Sequence, residues 1–268
     1  MKDALIVSAL SLVPRNRGAR AMGWFARTGL SRWVTSLFVR VYGVNLDEAA
    51  GELADYPTLE ALFTRTLKPG ARPVDDGEGV MVSPVDGRCA YVGPSTEGRI
   101  EVAPGRWLPL GELVGRNLDG EHDAVVLYLS PTDYHRVHVP CDGDGVHWRY
   151  VPGTLWPVFP AAVRRIDGLF ARNERLAVEL ATAAGVVDCV LVGAFGVGRI
   201  SIEGVDLLTN TGGEAADGPY ARAVRRGDPL GVFHLGSTVV LVTEPGRWTW
   251  SVQPGDVVRM GRSIGARA

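Results

Sequence analysis

Several features that usually announce a function are scarce in this sequence. It has three cysteines, Cys89, Cys141 and Cys189, set far apart and without a CxxC pair. That count argues against a disulfide framework and fits a reducing compartment. Neither charge sign dominates: the formal net charge is −2, so there is no global case for a nucleic-acid partner. The apolar run from Ala4 to Val13 is too short for a bilayer span, which needs about 20 residues. Pro14, Arg15 and Arg17 follow it where the small-residue cleavage site of a signal peptide would stand. No internal repeat of fixed period and no low-complexity tract is apparent. The candidate nucleophile Ser237 does not sit in a G-x-S-x-G elbow; its context is Leu-Gly-Ser-Thr.

Charge is nevertheless unevenly placed. Residues 1–40 carry Lys2, Arg15, Arg17, Arg20, Arg27, Arg32 and Arg40 against one acid, Asp3. Leu30, Trp33, Val34, Leu37, Phe38 and Val41 recur at spacings of three and four, which predicts a helix with one apolar stripe. Such a stripe has two readings. It packs on the protein's own core, as most do, or it enters the lipid–water boundary, which suits a basic helix with aromatics. A second helix is expected after Pro57, through Leu59, Leu62, Phe63 and Leu67, with Pro69-Gly70 as its stop.

From Val80 the texture changes to short Val-, Ile- and Tyr-rich runs between Gly, Pro and Asp turns. Ala124–Leu129, Val146–Val151, Leu176–Leu180, Val187–Val192 and Thr238–Thr243 read as strands. Asn210–Gly218 reads as a loop. Helices followed by many strands predict an α+β fold: a helical N-terminal region over 1–68, then a β-rich body over 69–268.

Four clusters could carry chemistry: Ser83 to Gly87, Asp133 to His138, Asn173-Glu174-Arg175, and Leu235 to Thr238. Each has a bland explanation. Asp86-Gly87 is a common turn dipeptide. His135 and His138 have a spacing seen in metal sites, but no further close ligand is apparent, and no metal is expected. Together the clusters supply a serine, a histidine and an aspartate, the parts that make a hydroxyl nucleophilic. Gly236, directly before Ser237, permits the strained backbone that attack on its own carbonyl would need.

These motifs resemble the bacterial, membrane-associated phosphatidylserine decarboxylase proenzymes. The matching runs are Pro84-Val85-Asp86-Gly87, Asp133-Tyr134-His135-Arg136-Val137-His138, Leu169 through Arg175, and Leu235-Gly236-Ser237-Thr238, with weaker matches nearly end to end. The resemblance implies that His138, oriented by Asp86, deprotonates Ser237, which attacks the Gly236 carbonyl. The chain would then break between 236 and 237, leaving a pyruvoyl group derived from Ser237. Chains 1–236 and 237–268 would stay associated. The pyruvoyl carbonyl would form a Schiff base with phosphatidylserine, releasing CO2 and phosphatidylethanolamine, with His135 returning a proton to the carbanion carbon. Residence on the cytoplasmic face of the cell membrane as a peripheral protein is implied too, with an anionic lipid surface as partner; homodimerisation is left open. The alternative is a pyruvoyl-dependent decarboxylase of another amino-acid-containing substrate. Departures from the family pattern at Leu108, Phe159 and Phe195 leave the headgroup and acyl preference unassigned.

Overall fold

The computed structural model describes residues 15–196, 199–234 and 237–268. Two helices open it, α1 (Arg15–Ala26) and α2 (Ser31–Tyr42), followed by the single-turn α3 (Leu59–Phe63). Gly43 ends α2 in the left-handed conformation, its N–H bonded to the Val39 carbonyl, a common helix stop. Thr58 caps α3, accepting from the Ala61 amide. This helix is shorter than the periodicity implied. It ends at Phe63, and Leu67 instead makes an isolated bridge to Ala49.

The body is an antiparallel sheet of eight strands in the order β11 (Ala216–Val224), β7 (Gly143–Val151), β8 (Arg175–Thr182), β9 (Gly185–Gly193), β13 (Ser237–Thr243), β5 (Asp123–Leu129), β2 (Gly87–Pro94) and β15 (Val257–Val258). The predicted strands are all present; the loop expected to reach Gly218 gives way to β11 at Ala216. Strand β13 lies at the centre, all seven residues buried, paired to β5 and β9 along its whole length. That burial on both faces explains its unbroken apolar run, where alternation would mark a solvated face.

Side chains alternate across the sheet, so it has two cores. One face presents Val125, Leu127, Cys189, Leu191, Val239 and Leu241. Against it pack two small sheets, β1 (Val80–Val82) with β16 (Ser263–Arg267) and β14 (Trp248–Trp250), and β10 (Ile200–Ile202) with β12 (Pro229–Phe233) and β6 (Arg136–His138). They contribute Met81, Ile264, Val137, Ile202 and Phe233 to this core. The other face presents Val126, Val190, Val240 and Val242 beneath the hairpin of β3 (Arg99–Ala103) and β4 (Arg106–Pro109) and three short helices, α4 (Leu110–Val114), α5 (Pro160–Val163) and α6 (Leu169–Arg172). The three cysteines are buried free thiols.

The stripe on α2 faces outward. Trp33 is 84 % exposed, Val41 67 % and Leu37 57 %, while the buried face carries Ser31 and Thr35. Ser31 Oγ accepts the Leu59 amide at 2.9 Å, which joins α2 to α3. Of the stripe, Phe38 packs inward, its ring 5.1 Å from that of Phe63. Among the described residues no helix is long and apolar enough to cross a membrane.

Candidate active site

Asp86 lies in the bend between β1 and β2. Arg72 Nε stands 2.9 Å from its Oδ1 and 3.1 Å from its Oδ2. The Met260 amide donates to Oδ1 at 2.9 Å. Arg72 also reaches Glu48 at 2.8 Å. Hydrogen bonding to Asp86 holds the Arg72 guanidinium above its ordinary pKa. Gly87 follows for a steric reason: a Cβ there would overlap the Tyr128 carbonyl oxygen.

His138 ends β6. Its Nδ1 lies 2.8 Å from the Gly227 carbonyl. A carbonyl only accepts, so Nδ1 carries the proton and Nε2 the lone pair. The Tyr134 hydroxyl, 3.1 Å away, donates to that lone pair. Burial lowers the His138 pKa, so the ring is neutral near pH 7.

His135 has the same tautomer, its Nδ1 lying 2.8 Å from the Asp133 carbonyl. Arg65 fixes that segment by donating to the carbonyls of Thr132 at 3.1 Å and Asp133 at 3.4 Å. Phe63 meets the His135 ring edge-on, 5.0 Å between centroids. Burial takes the His135 pKa down to about 4. Its Nε2 has no hydrogen-bond partner among the described residues.

Ser237 is the first residue of β13, fixed opposite Leu129 and Gly193. By alternation its side chain shares the face of Val239 and Leu241, the face on which the β6 sheet packs. Its Oγ is also buried without a hydrogen-bond partner among the described residues. Buried polar atoms are normally paired, and exceptions call for a reason such as a catalytic role. Gly236 lies outside the described residues, as does the run from Ala4 to Val13.

No hydrogen bond links Asp86 to His138. The carboxylate is held by Arg72 and Met260, and it acts on His138 and His135 through its charge, which opposes the effect of burial on both. Sequence reasoning gave no role to Arg72, Arg65, Tyr134 or Gly227. The Tyr134 contact spans one short segment; Gly227 is 89 positions from His138, a partnership without a local signal. One run elsewhere, Gly261-Arg262-Ser263-Ile264-Gly265, does spell the G-x-S-x-G pattern. Ser263 opens strand β16, whereas a nucleophile elbow needs a strand-to-helix turn.

Tyr134, His138 and Met260 open on a cavity of about 260 Å3 also lined by Lys68, Arg72 and Arg136. Leu108 is fully buried in the core beneath the β3–β4 hairpin. Phe159 precedes α5 and Phe195 follows β9, both half-buried.

The family model for phosphatidylserine decarboxylase matches residues 59–266, which contain all four candidate residues. The chain belongs to the phosphatidylserine decarboxylase family. It is 41 % identical to the phosphatidylserine decarboxylase proenzyme of Anaeromyxobacter sp. (strain K), covering all of both chains. Identity to the proenzyme of Myxococcus xanthus (strain DK1622) is 40 %, over 99 % of each chain. With that of Marinobacter nauticus it is 37 %, over 99 % of this chain and 98 % of the other. Similarity to family members thus runs through the helical region as well as the β body.

Proposed function

We propose that this family member matures by cutting its own backbone between Gly236 and Ser237, and that the cut equips it to decarboxylate phosphatidylserine to phosphatidylethanolamine and CO2. The observation that carries the reading is Ser237 itself: a buried hydroxyl at the first position of the central strand, without a hydrogen-bond partner among the described residues.

In this reading His138 Nε2 takes the Ser237 proton, once the Tyr134 hydroxyl has turned aside. The oxygen attacks the Gly236 carbonyl, and the peptide bond becomes an ester. Elimination across Ser237 frees the Gly236 carboxylate and leaves a dehydroalanine. Hydrolysis of that residue, with loss of ammonia, yields a pyruvoyl group. The two ladders flanking Ser237 suit such a group, because they fix the new chain end from both sides. The pyruvoyl group supplies an electrophilic carbonyl, an electron sink for the charge that departing CO2 leaves. His135 holds its Nε2 ready to carry the returning proton. Lys68, Arg72 and Arg136 in the adjoining cavity suit the anionic headgroup.

A second reading of the first step has its own support. Among the described residues His135 Nε2, like Ser237 Oγ, lacks a partner, whereas His138 Nε2 is occupied. His135 would then serve as the base for scission. His135→Ala separates the two: cleavage persists if His138 is the base and stops if His135 is.

The outward stripe of α2, with Arg32 and Arg40 on the same helix, supports peripheral attachment to an anionic membrane; the three free cysteines suit the reducing, cytoplasmic side. Residues 237–268 supply β13, β14, β15 and β16, which would keep the two chains together after the cut.

Intact mass measurement of the purified protein is the test. Two fragments are expected, the smaller beginning with a ketone in place of an amine. An unbroken chain that still releases CO2 from phosphatidylserine would sink the reading.

A further inference from the structure

The segment just upstream of the cut is stitched down by contacts that the chemistry above does not use. The Phe233 amide donates to the His135 carbonyl at 3.0 Å, and the His234 amide to the Arg199 carbonyl at 3.0 Å. The His234 side chain is held at both nitrogens. Nδ1 lies 2.7 Å from Oε1 of Glu60, and Nε2 lies 3.2 Å from the Ser201 hydroxyl. Nδ1–H donates to the carboxylate, and Nε2 pairs with the hydroxyl. Both side chains are largely shielded, 21 % exposed for His234 and 16 % for Glu60. Arg199 and Arg27 flank Glu60 at 3.8 and 3.9 Å.

Glu60 belongs to α3, the element between the outward-facing helices and the site. Through Phe63 the same helix turn touches His135. Through the Leu59 amide it is bonded to Ser31 of α2. Three positions separate His234 from Ser237. The Glu60–His234 contact therefore joins the helical layer to the backbone that must present a carbonyl to Ser237.

We propose that Glu60 and His234 are positioning residues for self-cleavage, a clamp that fixes the strand end upstream of the scissile bond against α3. The proposal rests on scission at Gly236–Ser237. Holding reacting atoms in place is worth orders of magnitude, and a displacement of about 1 Å can cost roughly a hundredfold in rate. After the cut, the same clamp holds the new C-terminus of the long chain in place.

The test follows maturation of the freshly made full chain by denaturing electrophoresis. His234→Leu and Glu60→Leu are each expected to slow cleavage about tenfold or more. His234→Asn, whose amide N–H can replace Nδ1–H, is expected to stay within about threefold of the natural chain, a rescue that mere space-filling would not give. The double Leu variant should be slowed by less than the product of the two single effects, because both remove the shared Glu60–His234 contact. Melting in a Ser237→Ala background checks folding; if His234→Leu is unfolded there, Glu60→Leu and His234→Asn decide. Leu variants that mature at the natural rate, or an Asn variant as slow as Leu, overturn the clamp alone. A natural chain that never breaks overturns the scission and the clamp together.

Discussion

The Tyr134 hydroxyl stands 3.1 Å from Nε2 of His138, on the one nitrogen of that ring able to accept a proton. The bond favours the neutral ring, as burial does. If His138 is the base, cleavage slows only where the ring gains a proton, so the acid limb of the rate profile lies below the ordinary histidine value. Tyr134→Phe removes a donor to the neutral form and raises the His138 pKa. The limb should move to higher pH by up to about one unit, the equivalent of one hydrogen bond. Cleavage rates across pH 4 to 8 for the two proteins check this; an unmoved limb would show that His138 is not the titrating base.

His135 makes stability depend on pH. It is buried and neutral, with a pKa of about 4, whereas in the unfolded chain it protonates near 6.5. Below that value the unfolded state binds a proton that the folded state refuses. Stability is therefore complete above pH 6.5 and is lost as pH falls toward 4, by about 3 kcal/mol at most. Denaturant titration of Ser237→Ala at pH 7 and pH 4.5 should show the loss, and His135→Gln in the same background should flatten it.

Arg72 and Asp86 form a largely buried ion pair, their side chains 8 % and 10 % exposed. Removing the cation strands the carboxylate with the Met260 amide. Arg72→Met should cost about 3 kcal/mol, the usual penalty for breaking such a pair from one side. Chemical denaturation of the uncleaved Ser237→Ala protein measures it.

Trp33 and Leu37 contribute little to the fold, being mostly exposed. Trp33→Glu with Leu37→Glu should leave the melting temperature within about 2 °C. Cosedimentation with vesicles rich in an anionic phospholipid should drop roughly tenfold or more, since apolar burial and surface charge both oppose the new carboxylates. Unaltered binding would place the membrane contact elsewhere.

The β body was legible because buried strands write apolar runs, nearly continuous in Val187–Val192, where only Asp188 interrupts, and in Thr238–Thr243. The short helices were not, since Leu110–Val114 and Leu169–Arg172 span about one turn, too little for a period. Periodicity marked the apolar side of α2 but could not say what covers it; the small buried pair Ser31 and Thr35 was the silent counterpart. Of the site, the residue types were readable and their partners were not. Asp86 looks toward His138 in sequence logic, yet its direct bonds go to Arg72 and to a backbone amide 174 positions away.

The central place of β13 bears on what the proposed cut would mean for the molecule. A strand hydrogen-bonded on both sides and buried on both faces is most readily seated while the chain is still continuous. Once severed, the short piece carries a bare, sticky ribbon that would sooner aggregate than find its slot again. If the proposed cut occurs, maturation becomes a ratchet: the severed enzyme would have no easy road back from unfolding, and its working lifetime would be set by how slowly that slot opens rather than by an equilibrium.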